Sequence, residues 1–352
     1  MQSGVDEGVF PGAVLLVGRD DAVMLHDAWG IADLETQQPV TTNTVFDLAS
    51  LTKPLATALA AMRLVQAGAL SLETPLGRVL PEMTKTDKGA VTVRQLLSHC
   101  SGWPAWQPYY EVLRDDPHDI RRERLKALLA AEPLTAAPGV TWLYSDLDYL
   151  ALGLMLEAVG GLRLDRLADQ EIYAPLGIRD LFFNPLDETP AARDYAATER
   201  CPWRGCVLCG AVHDDNAYVL NGVAGHAGLF GTAGGVWNLL RALRRIYAGD
   251  VETPWLSRSW VRTLWTRTTR SDWTLGFDMP SLEGSSSGRH FSANSVGHLG
   301  FTGTSFWLDL DRRIAVVLLT NRVHPSRSNS RIRQFRPRIH DEIMEWLLHI
   351  EA

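Results

Sequence analysis

A serine and a lysine three residues apart stand just before a long apolar run. Ser50 and Lys53 precede the run from Leu55 to Val65, and Gly68 follows it. This pattern predicts a buried helix that has Ser50 at its cap or first turn and ends at Gly68. Residues three apart lie on one face of a helix, so we expect the Lys53 amine beside the Ser50 hydroxyl.

Such a pair has the chemistry for nucleophilic catalysis. A serine hydroxyl becomes an effective nucleophile when a neighbouring group takes its proton. Burial and the positive end of the helix dipole should both weaken the preference of Lys53 for its charged form. The N–H of Ser50 would point toward the oxygen that becomes negative as the serine attacks a carbonyl. The alternative is a capping serine with a surface lysine, although the chain has only four lysines.

A tyrosine and an aspartate lie before a second apolar run. Tyr144 and Asp146 precede the residues from Leu147 to Val159, which predicts that the Tyr144 phenol lies where a loop meets a helix. A phenol beside a cationic lysine has its ionised form favoured and could relay protons. The alternative is a core tyrosine followed by an aspartate that caps the helix.

A histidine between glycines lies toward the C-terminal end of the chain. Gly297, His298 and Gly300 stand just before a strand pattern that begins at Ser305. Glycines at the edge of a strand allow another backbone or a substrate to come close. The N–H of Phe301 could then be a second donor to a negative oxygen. The alternative is a glycine-rich turn with an incidental histidine.

Composition argues against several classes of function. The chain has 352 residues and a net charge of −7, which argues against a nucleic-acid partner. No apolar run approaches the roughly 18 residues that span a bilayer, so we expect no membrane span. The first residues do not form a basic and then apolar leader, which favours a cytoplasmic location.

Three of the four cysteines are close together in the sequence. Cys201, Cys206 and Cys209 could bind a metal ion, with His213 nearby. A structural zinc site usually has four ligands arranged in pairs, which this spacing does not supply. We therefore expect reduced loop thiols, no metal and no cofactor.

Hairpin patterns at both ends of the chain indicate one antiparallel sheet. Apolar runs rich in β-branched residues occur at 12–18 with 22–29, and at 305–310 with 314–320. An amphipathic helix from Ile332 to Ile350 would close the chain and pack on this sheet.

The middle of the chain has helical periodicity instead. The helical segments are expected at 55–68, 92–99, 119–131, 146–160, 163–173 and 234–248. The predicted fold is therefore α/β, with an antiparallel sheet from both termini, flanking helices and a mostly helical second domain. We predict a sheet domain from residues 1–65 and 232–352, a helical domain from 66–231, and an active site in the cleft between them.

The three stretches together resemble those of a known superfamily. Ser50-x-x-Lys53, Tyr144-Ser-Asp146 and His298-x-Gly300 are similar to the motifs of serine β-lactamases and penicillin-binding proteins. The chain most resembles class C β-lactamases and their esterase and D-amino-acid-peptidase relatives. Further similar stretches lie at 11–13, 44–46, 93–102 and 224–233.

This resemblance implies a β-lactamase/transpeptidase-like fold and an acyl-enzyme mechanism. Ser50 would attack a carbonyl carbon while Lys53 and Tyr144 handle its proton. The N–H groups of Ser50 and Phe301 would hold the negative oxygen, and water or another acceptor would then release the acyl group. The substrate would be a small ester, amide or β-lactam.

Two of the motifs depart from the β-lactamase pattern. Asp146 stands where β-lactamases have an asparagine that meets the amide of the antibiotic, and an ionised aspartate can only accept hydrogen bonds. His298-Leu299-Gly300 stands where they have Lys-Thr-Gly, so a titratable imidazole replaces a cation that recognises a carboxylate. We still expect Asp146, His298 and Gly300 to contact the substrate.

These departures favour a carboxylesterase that acts on small esters. The alternatives are a D-alanyl-D-alanine carboxypeptidase or aminopeptidase, a weak class C-type β-lactamase, and a catalytically inactive penicillin-binding-like protein. Arg331, in an arginine-rich stretch after the last strand, could replace the missing lysine in binding a carboxylate.

Several other residues are candidates for the cleft. His226 could line it, or His226 and His213 could be structural, with their rings bonded to Asp214 and to loop backbone. An acyl pocket could be walled by Trp103, Trp106 and Trp142, each of which could equally be ordinary packing.

Overall fold

The structure is a computed structural model that describes residues 1–190, 192–268 and 271–349. Its strands are β1 (Gly12–Arg19), β2 (Ala22–Asp33), β3 (Gln38–Pro39), β4 (Phe46–Asp47), β5 (Leu181–Phe183), β6 (Arg200–Cys201), β7 (Cys206–Val207), β8 (Leu229–Gly231), β9 (Ser295–Leu299), β10 (Ser305–Asp309) and β11 (Ile314–Thr320). Its α-helices are α1 (Gln2–Asp6), α2 (Leu59–Gln66), α3 (Leu76–Val79), α4 (Val93–Leu97), α5 (Tyr109–Leu113), α6 (Arg121–Ala131), α7 (Asp146–Gly160), α8 (Leu164–Ala168), α9 (Asp215–Val219), α10 (Ala233–Ala248), α11 (Arg258–Leu264) and α12 (Ile332–His349).

The largest sheet joins the two ends of the chain, which confirms the prediction. Its strand order is β3-β2-β1-β11-β10-β9 and its pairings are antiparallel, with Leu16 of β1 opposite Val317 of β11. Side chains alternate along β1: Val14 and Leu16 belong to the core that includes α2 and α10, whereas Leu15 and Val17 pack among residues of α12. Helices therefore cover both faces of the sheet.

The helix predicted after Ser50 forms, but its first turns are not α-helical. Residues 49–51 form a 3₁₀ turn and 53–58 a π-helical turn before α2 begins, and Gly68, with a φ of 75°, follows its end. Pro54 has no N–H to donate to the Ser50 carbonyl, so a regular α-helical bond is missing at this point. Every residue of the π turn is buried, and such turns are frequent at functional sites.

The other predicted helical segments are observed and differ mainly at their ends. α7 has the predicted bounds, and the segment 163–173 is α8 followed by a π-helical turn, Asp169–Tyr173. Side chains that cap the first turn fix where helices start: Ser145 caps α7, and Thr92 caps α4. The predicted last residue of α12, Ile350, lies outside the described residues.

A small three-stranded sheet adds strands to the mostly helical middle of the chain. β8 pairs with both β4 and β5, and each of these strands has two or three residues, too few for a recognisable alternation. The pairing of β8 with β4 places the residues just before Ser50 against the loop 222–228 and the strand after it. No helix within the described ranges is long and apolar enough to cross a membrane.

A close backbone approach holds the loop 222–228 against α7. A Cβ on Gly225 would lie 1.9 Å from the carbonyl oxygen of Tyr149, whereas a Cβ on Gly234 would meet nothing closer than 3.7 Å. We therefore expect Gly225→Ala to lower the free energy of unfolding by about 1–3 kcal/mol, the usual effect of overpacking. Urea unfolding followed by tryptophan fluorescence measures this change. Gly234→Ala, in the first turn of α10, is the control and should be neutral or stabilising; equal stability of the two variants would contradict the close approach.

Candidate active site

Ser50 follows a strained turn. The residue before it, Ala49, has a φ of 48°, in the left-handed region that non-glycine residues seldom adopt. Asp47 holds this turn, because its Oδ1 accepts the Ala49 N–H at 2.8 Å. The hydroxyls of Thr302 and Thr304 donate to the carbonyls of Asp47 and the next residue, at 2.7 and 3.1 Å. Strain that is held by surrounding contacts is common at functional sites.

The Lys53 side chain is fully buried, and its Nζ donates three hydrogen bonds. The acceptors are Ser50 Oγ at 3.0 Å, Asp146 Oδ1 at 2.7 Å and the His226 carbonyl at 3.3 Å. Burial alone would lower the pKa of Lys53, but the Asp146 carboxylate and the Tyr144 phenol outweigh burial, so the pKa lies above its ordinary value. The prediction that Lys53 loses its preference for the charged form is therefore wrong, because the lysine has an acidic partner.

The Tyr144 phenol lies against the same two side chains. Lys53 Nζ is 4.8 Å from the centroid of its ring, and both Lys53 and Ser50 act to lower the pKa of its hydroxyl. Burial raises the pKa of Tyr144 more than Lys53 lowers it, and Asp146 raises it further. Lys53 thus favours the ionised phenol, as predicted, but burial outweighs it, so the prediction that the ionised form prevails is wrong. The predicted serine, lysine and tyrosine do meet at one point.

Sequence reasoning missed a buried histidine that packs on Tyr144. His99 Nδ1 accepts the N–H of Ser145 at 3.1 Å, and its ring centroid lies 4.6 Å from that of Tyr144. Burial lowers the pKa of His99 well below its ordinary value, and Lys53 contributes, so the imidazole is neutral. His99 thus fixes the backbone next to Tyr144. Its place in the stretch 93–102, which supports the family resemblance, is the signal that could have found it.

His298 is a buried neutral imidazole and not a substitute cation. Burial lowers the pKa of His298 to about 3, and Lys53 contributes. Its Nδ1 donates to the Leu299 carbonyl at 2.8 Å, while Nε2 is buried and has no partner among the described residues. At neutral pH this side chain therefore carries no charge with which to recognise a carboxylate.

Gly300 lets the end of β9 touch the turn that carries Ser50. A Cβ at this position would lie 2.0 Å from Thr304 Oγ1, so any side chain is excluded. The N–H of the next residue, Phe301, has no partner in the described part of the chain. The N–H of Ser50 precedes the first hydrogen bond of its 3₁₀ turn, which Leu51 donates. Both N–H groups that were expected to hold a negative oxygen are therefore available.

These groups open into a cleft of about 730 Å³, whose lining residues include Ser50, Tyr144, Asp146, His298, Gly300 and Phe301. Of the candidate tryptophans, Trp106 lines this cleft and is 47% exposed, whereas Trp103 is buried in the core. Trp142 is not among the lining residues, and Trp273, which the sequence did not single out, is.

Four arginines line the cleft, and one of them, Arg327, is paired with two carboxylates. Arg336 donates to the Gly300 carbonyl at 3.2 Å, and Arg322 Nε to the Phe301 carbonyl at 2.8 Å. Arg333 lies one turn before Arg336 on α12. Arg322, Arg333 and Arg336 have no acidic partner among the residues that the structure describes, although Arg322 and Arg336 also donate to further backbone carbonyls. Burial lowers the pKa of Arg336 to about 9 and that of Arg322 to about 10, and neighbouring arginines contribute.

Arg331, the arginine that was expected in the cleft, points elsewhere. Its Nη1 donates to the Glu7 carbonyl at 2.7 Å, and it is not among the lining residues. Arg333 and Arg336, three residues apart on α12, share the helix face that borders the cleft. The prediction for Arg331 is therefore wrong, because the residue precedes the helix and lies against the N-terminal segment.

His226 has the structural contact that was predicted for it. Its Nε2 donates to Asp214 Oδ1 at 2.8 Å, and its ring is buried and outside the cleft lining. Its contribution to the site is its carbonyl oxygen, which accepts a hydrogen bond from Lys53.

His213 lines the cleft and connects both predicted N–H donors. Its ring Nε2 lies 3.2 Å from Glu199 Oε2, so its ring partner is neither Asp214 nor loop backbone, the partners predicted for the two histidines. Its backbone N–H donates to Asp47 Oδ2 at 2.6 Å, and its ring stacks on Phe301 with centroids 5.6 Å apart. His213 therefore touches both the turn that holds Ser50 and the residue that supplies the second donor.

The clustered cysteines lie in a short hairpin. Cys201 of β6 is opposite Cys206 of β7, and all four cysteines of the chain are free of disulfides. Within the described ranges, no group of three or more histidine, cysteine or acidic side chains could hold a metal ion.

The two oxygens of Asp47 support a prediction. One accepts the Ala49 N–H and the other the His213 N–H, and an asparagine has only one oxygen with which to accept them. We expect Asp47→Asn to slow the reaction of Ser50 with a fluorophosphonate about tenfold, since a buried N–H left without an acceptor costs about 1–3 kcal/mol. Asp119→Asn, at an exposed position, is the control. Unchanged labelling of Asp47→Asn would show that this carboxylate does not position the serine.

Comparisons with known proteins agree with this geometry. The family model described as Beta-lactamase matches residues 1–337. The protein of Escherichia coli (strain K12) named "Putative D-alanyl-D-alanine carboxypeptidase" is 32% identical over 353 residues, which cover 91% of this chain and 80% of that protein. The N-acetylmuramyl-L-alanine amidase of Bacillus subtilis (strain 168) is 32% identical over 346 residues, which cover 90% of this chain and 78% of that protein.

The fold is also found in solved structures. The structure of EstCE1, a hydrolase with promiscuous acyltransferase activity, has a TM-score of 0.72 and 24% identity, with 96% of each chain covered. This similarity confirms the β-lactamase/transpeptidase-like fold. The family match over nearly the whole chain and the two relatives at 32% identity confirm the resemblance seen in the motifs. The chain belongs to the beta-lactamase family and is a serine hydrolase of that family.

Proposed function

We propose that the chain cleaves its substrate through an acyl-enzyme on Ser50. The observation that carries this proposal is the 3.0 Å contact between Ser50 Oγ and Lys53 Nζ, with the ring of Tyr144 against the same amine. Ser50 Oγ attacks the carbonyl carbon of the substrate and passes its proton to the groups around it. The N–H groups of Ser50 and Phe301 bind the oxygen that becomes negative.

The second half of the reaction releases the acyl group. The leaving group takes a proton as its bond to the carbonyl carbon breaks, and the acyl group stays on Ser50. A water molecule then attacks the same carbon and gives up a proton to these groups, and Ser50 Oγ takes a proton back as its bond to the carbon breaks. A cleft of about 730 Å³ has room for a small substrate together with this water.

We infer that the preferred substrate is a small amide or ester that carries a carboxylate. Arg322, Arg333 and Arg336 supply the positive charge that the neutral His298 does not. Guanidinium groups bind carboxylates through paired, charge-assisted hydrogen bonds. The names of the two curated relatives, one a carboxypeptidase and the other an amidase, support amide cleavage.

A carboxylesterase for small uncharged esters is the second candidate, and the motif departures alone favour it. The apolar walls formed by Trp106, Trp273 and Leu299 suit an uncharged acyl group. Rapid hydrolysis of a chromogenic cephalosporin, which carries a carboxylate and a strained amide, would exclude this candidate as the main activity.

The acyl-enzyme proposal predicts that Ser50 alone is labelled by a fluorophosphonate. Intact-protein mass spectrometry should show one adduct, absent from Ser50→Ala. We also expect Lys53→Ala to lower turnover of an aryl ester at least about 100-fold, the usual effect of removing a group that transfers protons. Tyr144→Phe, which removes the hydroxyl at the same point, should lower turnover by a similar factor. An unlabelled wild-type protein would instead support a catalytically inactive binding protein, and wild-type rates in either variant would show that the roles are misassigned.

The substrate proposal predicts different KM values for two matched aryl esters, one with a carboxylate on its acyl chain and one without. Arg333→Gln should raise KM for the charged ester about tenfold, because a hydrogen bond between charged groups contributes about 1.5–3 kcal/mol, and should leave KM for the neutral ester unchanged. Arg331→Gln, which alters an arginine directed away from the cleft, is the control. Equal KM values for the two esters in the wild type would favour the simple carboxylesterase.

A further inference from the structure

The structure assigns to Asp146 a catalytic role: it is the final acceptor of the Ser50 proton, and Lys53 relays that proton. This inference rests on the proposed acyl-enzyme function and adds a residue to it. Sequence reasoning expected Asp146 to contact the substrate. The position of its carboxylate against the lysine indicates that proton transfer is its main task.

The surroundings of Lys53 Nζ carry the inference. An ammonium group has three N–H bonds and no lone pair. Here the three N–H bonds have three acceptors, in Ser50, Asp146 and the His226 carbonyl, and the side chain is fully buried. A lysine bound in this way takes a proton from Ser50 only if it gives one up. Of its three acceptors, a carboxylate is the one that can keep a proton.

The other titratable groups around this point are poor acceptors. The pKa of Tyr144 is raised by burial, so its phenol is protonated at neutral pH. Burial lowers the pKa of His99 and His298, which makes both rings weak bases. Asp148 makes no hydrogen bond to Lys53 or Ser50, because its Oδ1 accepts from Ser101 instead. The carboxylate of Asp214 accepts a hydrogen bond from the ring of His226.

The proposed step is balanced in protons and charge. The Ser50 O–H bond breaks and its proton moves to Lys53 Nζ, while a proton of Lys53 moves to Asp146 Oδ1. The Ser50 Oγ–carbon bond forms, and the π electrons of the carbonyl move to its oxygen. Lys53 is an ammonium before and after the step. The negative charge of Asp146 has moved to the oxygen between the N–H groups of Ser50 and Phe301.

The leaving group then recovers the proton by the same route. As the bond to the leaving group breaks, Lys53 donates a proton to that group and Asp146 returns one to Lys53. An asparagine, which β-lactamases have at this position, could accept a hydrogen bond from Lys53 but could not keep a proton. The aspartate therefore changes which group is the base while leaving the arrangement of the site intact.

The charge of Lys53 tests the inference without any measurement of activity. The chain has four lysines, so ¹³C labelling at lysine Cε gives few NMR signals, and Lys53→Ala assigns the one of interest. We expect Lys53 to remain an ammonium through neutral pH in the wild type. In Asp146→Asn the anionic partner is gone while burial remains, so the pKa of Lys53 should fall. A neutral Lys53 at pH 7 in the wild type would overturn the inference.

The rate of acylation tests the same role in the reaction. With an aryl ester in stopped flow at pH 7, Asp146→Asn should acylate about 100-fold more slowly than the wild type, as expected for loss of a general base, with little change in KM. The difference in acylation rate between Asp146→Asn and the wild type should become smaller as the pH rises, because neutral Lys53 then becomes available as the base. Asp148→Asn is the matched control, because Asp148 lies on the same helix and has no hydrogen bond to Lys53.

The outcomes separate this inference from the function on which it rests. A wild-type protein that forms no acyl-enzyme contradicts the proposed function. Normal acylation in the wild type with equal acylation in Asp146→Asn contradicts the role of Asp146 alone. If Asp146→Asn differs from the wild type only by a higher KM for amide substrates, Asp146 binds the substrate and does not take the proton.

Discussion

One buried ammonium group determines how the site is assembled. A charge removed from water is strongly unfavourable unless acceptors surround it, and Lys53 is fully buried. Its acceptors come from the turn at Ser50, the start of α7 at Asp146 and the loop at His226. These three segments are far apart in the sequence, and the charge of the lysine is satisfied only when they meet. The same contacts that stabilise the ammonium therefore place the serine, the carboxylate and the tyrosine together.

The nucleophile turn depends on contacts of the same kind. Ala49 is in a strained conformation, and Asp47, Thr302 and Thr304 hold the backbone around it. Gly300 allows the approach, since any side chain there would collide with Thr304. The residues after β9 thus have two roles. Their hydroxyls hold the turn before Ser50 through hydrogen bonds, and their backbone brings the N–H of Phe301 to the same part of the site. This explains why a motif near residue 300 belongs to a site that begins near residue 50.

Local patterns were sufficient for much of the fold. The continuous apolar runs of β1 and β11, the apolar run of α7 and the capping residue Ser145 each specify their element through neighbouring residues alone. The short strands β4, β5 and β8 could not be predicted, because their pairing depends on long-range contacts and not on an internal pattern. The motif resemblance supplied the order in which the segments meet, which composition and periodicity could not supply.

The charge states of the site were beyond sequence reasoning for a physical reason. Burial favours a neutral Lys53, and a nearby carboxylate favours a charged one; which effect is larger depends on where Asp146 points. The same holds for Tyr144, where burial outweighs the lysine. Arg331 was the wrong choice among the arginines because the start of α12 decides which side chains face the cleft, and Arg333 and Arg336 are the ones that do.

The most direct test of the account is a crystal structure of the protein with an acyl group trapped by a slowly hydrolysed substrate. We expect the carbonyl carbon to be bonded to Ser50 Oγ, and its oxygen to accept hydrogen bonds from the N–H groups of Ser50 and Phe301. Lys53 Nζ should remain between Ser50 Oγ and Asp146. An acyl group on another residue, or a carbonyl oxygen turned away from both N–H groups, would contradict the account.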